Sequence, residues 1–200
     1  MTGSPSNPPK GGASDSAIIE DLIEPDPYFR DLSVEGVPDI RVIIFRGIPV
    51  MAMLRLSTHA SDGKANLHQG AIGVGLDLAT GHCAHAVQYS GRVLAHPDTG
   101  VPLDRIAIPD WENLLTLAAS CHDLSGLGYL GADLVVDQQR GPLLLELNAR
   151  PGLSIQVANG EGLLPRLRRV EALERVSTNA AERAGFAMKH FARQPTRTTA

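Results

Sequence analysis

Apolar residues along this chain come in short runs split by polar breaks, a pattern of strands and turns more than of long helices. Asp39 to Arg46 (DIRVIIFR) and Ile48 to Leu56 (IPVMAMLRL) are β-rich runs separated around Gly47, which predicts a hairpin. Ala71 to Leu78 and His82 to Val87 predict a second hairpin around Ala79-Thr80-Gly81. Leu127 to Asp137 and Pro142 to Leu147 predict a third around Gln138-Gln139-Arg140-Gly141. Helical spacing occurs at Pro109 to Leu124, with Asp110 as N-cap, and at Pro165 to Arg175. A last helix is expected from Asn179, with Glu182 three residues on in capping-box spacing. Ala17 to Ile23 predicts a short apolar strand, broken by Glu24-Pro25-Asp26-Pro27 and followed by loop as far as Pro38. Ser57 to Gly70 is a long polar loop between good strands, a setting where function concentrates. Hairpins punctuated by helices imply an α+β fold, an antiparallel β-sheet flanked by helices.

Composition adds limits. Met1 to Ser16 is rich in Gly, Ser and Pro and is expected to be a disordered lead-in (1–16); the tail from Gln194 is expected to fray. A hydrophobic content of 43% allows a core, and a net charge of -4 argues against general nucleic-acid affinity. The two cysteines, Cys83 and Cys121, are too few for a disulfide scaffold and are expected to be buried thiols. The N-terminus has no signal-peptide apolar region and no run approaches the ~20 residues of a membrane span. The expected setting is cytoplasmic, with no membrane partner.

The sharpest segment is Leu143-Leu144-Leu145-Glu146-Leu147-Asn148-Ala149-Arg150-Pro151-Gly152. Side chains alternate along a strand, so Glu146 and Asn148 point to one face. The preceding strand carries Asp133, which a turn near Gln138 would bring beside them. Two carboxylates and an amide oxygen make a hard-oxygen set suited to Mg²⁺. The plainer alternative is a strand end with solvated polar residues.

E-x-N-x-x-P-G after a strand, preceded by a G-x-D strand, resembles the metal-binding signature of ATP-grasp ligases. Other segments follow in that superfamily's order. Ile18 to Ile23 looks like a hinge strand that reads adenine through its backbone, at Glu20, Asp21, Leu22 and Ile23. Asp39-Ile40-Arg41 looks like a D-x-R strand, Ala52-Met53-Leu54-Arg55 like a strand whose arginine meets triphosphate, and Asn66-Leu67-His68-Gln69-Gly70 like an N-x-H-x-G loop. With Ala158-Asn159-Gly160, the stretch from about Ala17 to Leu167 is similar to RimK-related alpha-L-glutamate ligase-like proteins.

That resemblance implies an ATP- and Mg²⁺-dependent carboxylate–amine ligase working through an acyl-phosphate. Asp133, Glu146 and Asn148 would hold one or two Mg²⁺ ions, with Mn²⁺ as an alternative. Arg55 would contact the phosphates, or else be an exposed strand arginine. Arg41 would back the phosphates, or pair with Asp39 or Glu35. Asn66 and His68 would line the phosphate or substrate side, or be a turn asparagine and a solvated histidine. Arg150 would hold a substrate carboxylate, or pack the turn. The partners implied are ATP, a carboxylate and an amine, with glutamate or another amino acid among them. Charge reversal at Arg55 would stop turnover and spare the fold.

The resemblance covers the C-terminal lobe of an ATP-grasp domain. The phosphate-binding lysines and glycine-rich lid of an N-terminal lobe are expected to be missing, since Lys10-Gly11-Gly12 has no flanking strands and Lys64 lies in the N-x-H loop. The division expected is lead-in 1–16, partial ATP-grasp domain 17–176, and C-terminal helix and tail 177–200. A second copy or a partner chain would cover the exposed sheet edge. The competing possibility is a non-catalytic or partner-dependent nucleotide-binding remnant.

Overall fold

The computed structural model describes residues 21–193. The lead-in, the beginning of the hinge segment with Glu20, and the tail from Gln194 lie outside the described residues. The fold is α+β: one seven-stranded antiparallel sheet in the order β5-β4-β3-β2-β1-β6-β7. Its strands are β1 (Asp39–Phe45), β2 (Ile48–Leu56), β3 (Ile72–Leu76), β4 (Cys83–Gln88), β5 (Gly91–Arg92), β6 (Tyr129–Asp137) and β7 (Gly141–Asn148). The helices are α1 (Pro27–Arg30), α2 (Trp111–Ser125), α3 (Ser154–Asn159), α4 (Leu164–Glu171) and α5 (Ala180–His190). No helix among the described residues is long and apolar enough to cross a membrane.

All three expected hairpins form. Phe45 pairs with Ile48, so Arg46 and Gly47 are the whole β1–β2 loop. Their φ values of 50° and 80° are the paired left-handed conformations of a tight hairpin turn. The Arg46 side chain then donates to the Val170 carbonyl at the end of α4 (3.2 Å). β1 and β2 are buried on both faces; Val42, Ile43, Ile44, Met51, Ala52 and Leu54 are closed to solvent. Continuous apolar runs in these strands follow from that double burial.

The α5 helix packs on α2 and β2, giving Ala184 and Ala187 to the same core, and Phe191 just beyond it joins them. Arg183 anchors it. Its guanidinium, 2% exposed, donates to the Gly47 carbonyl (3.0 Å), the Ala119 carbonyl (3.0 Å) and Asp123 (2.5 Å). With the Ser177 carbonyl (3.1 Å) that makes four acceptors, and the negative charge of Asp123 among them makes the burial tolerable.

Several local expectations are corrected. Asp21, Leu22 and Ile23 are not strand; Leu22 is 82% exposed. Only the next residues join the sheet, where Pro25 bridges Asp137. Asp110 stands at the start of α2, but its carboxylate accepts from the Asn113 side chain (2.7 Å) rather than from backbone N–H groups. Asn179 caps α5 through Ala181 N (2.9 Å) and Glu182 N (3.2 Å), whereas the Glu182 carboxylate accepts from Ser177 (2.6 Å), so the box is not reciprocal. Cys121 is buried, but Cys83 is only half-buried. Burial pushes the Cys83 thiol up to about 11, and nearby Asp104 adds to the effect, so it stays protonated near neutral pH.

The short helix α3, not among the elements expected from sequence, follows the turn after β7. Two glycines seat α3. A Cβ on Gly73 would lie 2.7 Å from Leu67, and one on Gly75 would lie 2.5 Å from the Ala158 carbonyl oxygen. A Cβ on Gly131 would likewise lie 2.8 Å from Pro151. Missing side chains on β3 and β6 thus let α3 and the Pro151 turn lie directly against the sheet.

Candidate functional site

Antiparallel partners directly opposite one another share a sheet face. Asp39 faces Arg55, Arg41 faces Asp133, Asp133 faces Glu146, and Gly131 faces Asn148. The strand order β2-β1-β6-β7 therefore sets all these polar residues on one face. Gly73 lies opposite Arg55 on the remaining side, with Leu67 and Ala158 packed over it.

The centre is a closed ionic lattice. Arg41 grips Asp133 with two parallel bonds, Nε to Oδ1 at 2.7 Å and Nη2 to Oδ2 at 2.5 Å. Arg55 grips Asp39 in the same two-pronged way and also donates from Nη2 to Asp133 Oδ2 at 2.8 Å. Bidentate geometry of this kind fixes both partners in direction as well as distance. Asp39 and Asp133 are 4% and 2% exposed. Burial pushes the Asp39 carboxyl above its ordinary range, against the opposing pull of Arg55. Burial works against the Arg55 charge, but bonds to Asp39 and the field of both aspartates raise its pKa overall. Arg41 therefore pairs with Asp133, not with Asp39 or Glu35, and Arg55 is not a solvent-facing strand arginine.

Neither guanidinium spends its Nη1 group on a hydrogen bond among the described residues. Both arginines line a cleft of about 260 Å³, with Met53, Asn66, His68 and Ser154. Asn66 caps the turn Leu67–Gln69 by accepting from the His68 N–H (3.0 Å), and His68 itself is exposed. The loop thus brings an amide and an imidazole to the arginine cleft. Ser154 and Gly152, absent from the sequence-derived candidates, arrive there because α3 is seated on the β3 glycines.

Glu146 is exposed on β7, beside the buried Asp133. The Asn148 side-chain oxygen turns onto the Arg150 N–H (2.9 Å), an Asx turn that shapes the approach to Pro151. Arg150 is exposed, and its guanidinium has no bonded partner among the described residues. Among the described residues, no group of three or more His, Cys, Asp or Glu side chains is gathered to hold a metal alone. Glu146 and Asp133 lie opposite each other, carboxylates of the hard-oxygen chemistry Mg²⁺ takes, although both Asp133 oxygens also accept from Arg41 and Arg55.

The segment after Ile23 is tied to the far end of β6. Gln138 N donates to the Glu24 carbonyl (2.8 Å) and Asp26 N to the Val136 carbonyl (2.9 Å). Here β6 pairs with β7 on its other edge, so Glu24–Asp26 continues the ladder where β1 stops. Asp137 is the clasp. It accepts from Gln139 N (3.0 Å), Arg140 N (2.9 Å), Arg140 Nη2 (3.0 Å) and Glu24 N (3.1 Å). The Arg140 side-chain bond, then these backbone N–H groups, hold its carboxyl well below the usual carboxylate range. Asp21, Leu22, Glu24 and Arg140 line a hollow of about 400 Å³ beside it.

Asp137 yields a pH prediction. Its folded pKa is depressed, so its contribution is complete above the ordinary carboxylate pKa of ~3.9 and fades as pH falls below that value. Asp137→Ala should speed amide exchange at Glu24, Gln139 and Arg140 at neutral pH and flatten the acid limb of the stability curve. Exchange rates equal to wild type at these three amides would remove the clasp assignment.

Comparison with curated proteins finds no match. Comparison with family models finds one whose description is sugar-transfer associated ATP-grasp, matched over residues 6–172. With most of its length and the whole polar face of the sheet inside that match, the chain belongs to the sugar-transfer associated ATP-grasp family.

Proposed function

We propose that this chain supplies the catalytic face of an ATP- and Mg²⁺-dependent ligase that activates a carboxylate and joins it to an amine. ATP-grasp domains in general bind ATP and Mg²⁺ and are enzymes. The family found is the sugar-transfer associated one, so the RimK-type glutamate specificity suggested by sequence resemblance is not carried into the proposal. The observation that carries it is the pair of guanidiniums, Arg41 and Arg55, locked by buried carboxylates while they line one cleft.

Asp133 and Asp137 are four residues apart on β6 and share a face. At ~3.4 Å per residue these aspartates, one beside the hinge-side hollow and one beside the arginine cleft, stand roughly 14 Å apart, a span suited to an extended nucleoside triphosphate. The Glu24–Asp26 segment would border the base. The Nη1 groups of Arg41 and Arg55 would hold the transferring phosphoryl and the carboxylate in line, without reorganising as charge develops. Glu146 and Asp133 would hold Mg²⁺, which neutralises phosphate charge when bound. Asn66, His68 and Arg150 would border the substrates. A carboxylate oxygen takes the terminal phosphoryl and ADP leaves. The amine then attacks the acyl carbon, phosphate leaves, and the amine's surplus proton goes to solvent.

Steady-state ADP turnover should require both a carboxylate and an amine, and Glu146→Gln should lower it at least tenfold with little change in thermal stability. Carboxylate-independent release, or a fully active Glu146→Gln variant, would overturn the proposal. A second reading has one observation behind it. Two guanidiniums facing two aspartates form an electrically closed lattice, as a purely structural seam would. ATP binding with no ADP release under any substrate pair would favour that non-catalytic, nucleotide-holding role.

A further inference from the structure

A second cleft, of about 500 Å³, adjoins the arginine cleft. Leu67, His68 and Ser154 line both, so the two share a wall. The volume lies within the ~300–1,000 Å³ common for small-ligand sites. Its distinguishing residue is Tyr89, 62% exposed at the first position of the β4–β5 turn. Tyr89 and Ser90 hold φ values of 48° and 67°, a left-handed turn where asparagine and glycine are favoured over tyrosine. The tyrosine hydroxyl lies over Gly70, where an added Cβ would come within 2.3 Å of it. The Gly70 carbonyl is itself held by Thr58 (2.9 Å) and Gln88 (2.8 Å). An aromatic ring is thus tied to the loop that bears His68, yet left largely open to solvent. Across the cleft stand Leu153 and Val157, 56% and 44% exposed, on the turn and helix that the β3 glycines seat. Ser90, Ser154 and His68 add polar edges.

We infer that this cleft holds the pyranose ring of a sugar acid of the hexuronate class, whose carboxylate reaches Arg41 and Arg55 in the adjoining cleft. The inference rests on the carboxylate-activating function proposed above and names its substrate class. A pyranose offers an apolar C–H face to an aromatic ring and hydroxyls around its rim, the mixture that Tyr89, Leu153 and Val157 with Ser90, Ser154 and His68 present. A carboxylate on the same molecule matches the guanidiniums. A free acyclic amino acid would satisfy the arginines and leave the aromatic cleft unfilled. Membership of a sugar-transfer associated family agrees with a saccharide ligand.

The test is ligand-observed saturation-transfer NMR and calorimetry with D-glucuronate, D-glucose and L-glutamate, in the presence of ATP and Mg²⁺. D-Glucuronate should bind at least tenfold more tightly than either of the others, with saturation strongest at its ring protons. Tyr89→Asn suits the left-handed turn and removes the ring; it should weaken glucuronate at least tenfold with an unchanged melting temperature. Tyr89→Trp should restore binding, and Val157→Glu on the opposite wall should abolish it. Equal affinity for glutamate and glucuronate, or glucuronate binding insensitive to Tyr89→Asn, would overturn the inference. ADP release driven by glutamate and untouched by Tyr89→Asn would overturn it while leaving the ligase proposal standing.

Discussion

Arg55→Glu is expected to cost about 3–5 kcal/mol of folding stability, the range for removing one partner from a buried ion pair. The Arg55 side chain is 14% exposed and bonds two aspartates that are nearly closed to solvent. Reversing its charge would crowd a third carboxylate against Asp39 and Asp133, with only Arg41 left to balance them. Desolvation already raises the Asp39 carboxyl, so it would take up a proton rather than stay charged beside a new anion. Sequence alone suggests that this reversal silences the site and spares the fold; the two-aspartate embrace argues that it damages both. Urea unfolding near neutral pH measures the loss. Arg55→Lys should retain part of the stability, since it keeps the charge without the two-pronged grip. An unfolding midpoint for Arg55→Glu equal to wild type would show that the lattice contributes nothing to folding.

Gly75→Ala should destabilise by about 1–3 kcal/mol, the usual cost of overpacking a filled site. The added carbon would sit 2.5 Å from the Ala158 carbonyl oxygen and 2.6 Å from the Asn159 Cα, both backbone atoms of α3. No side chain can swing away to relieve it, so α3 must lift. Asn159 bonds the Ala52 carbonyl (3.0 Å) and would be pulled from it. Ser154 and Gly152 would shift with the helix, so ATP and substrate affinity should fall along with the melting temperature. Gly128→Ala is the matched control, because nothing lies within 4 Å of a Cβ built there. Full nucleotide affinity in Gly75→Ala would mean that the position of α3 does not shape the cleft.

The local elements were legible because their causes are local. Gly47, Gly81 and Gly141 all take positive φ at the hairpin turns, and apolar runs on either side leave few alternatives. Helix α5 was legible from Asn179, which caps it as read. Local pattern misleads where a distant neighbour decides. Asp21 to Ile23 looks like a strand by composition, but only Glu24 onward finds a free edge of β6. Asp110 has the residue type of a cap, but its left-handed backbone turns the carboxylate toward Asn113. Asp137 was read as the last residue of a strand, although an aspartate two residues before a turn N–H is a signal for this clasp.

For the candidate site, sequence named Asp133, Glu146, Arg41 and Arg55 as residues with chemistry to offer. The alternative it offered for Arg41 besides a phosphate role, a pair with Asp39 or Glu35, drew on near neighbours, because spacing reveals no others. Alternate residues of one strand stand ~7 Å apart, whereas opposed residues on paired strands stand ~4.5–5.5 Å apart, so cross-strand partners win. Residue order along the chain therefore determined the α+β class, the hairpins, the Asn179 cap and the inventory of charged groups. Only the tertiary structure decided that β1 lies between β2 and β6, and so which carboxylate each guanidinium holds. Likewise, only the approach of α3 to Gly73 and Gly75 brought Leu153 and Val157 across from Tyr89. Both outcomes depend on contacts between segments far apart in sequence, whose selection comes from burying the whole sheet at once rather than from any local preference.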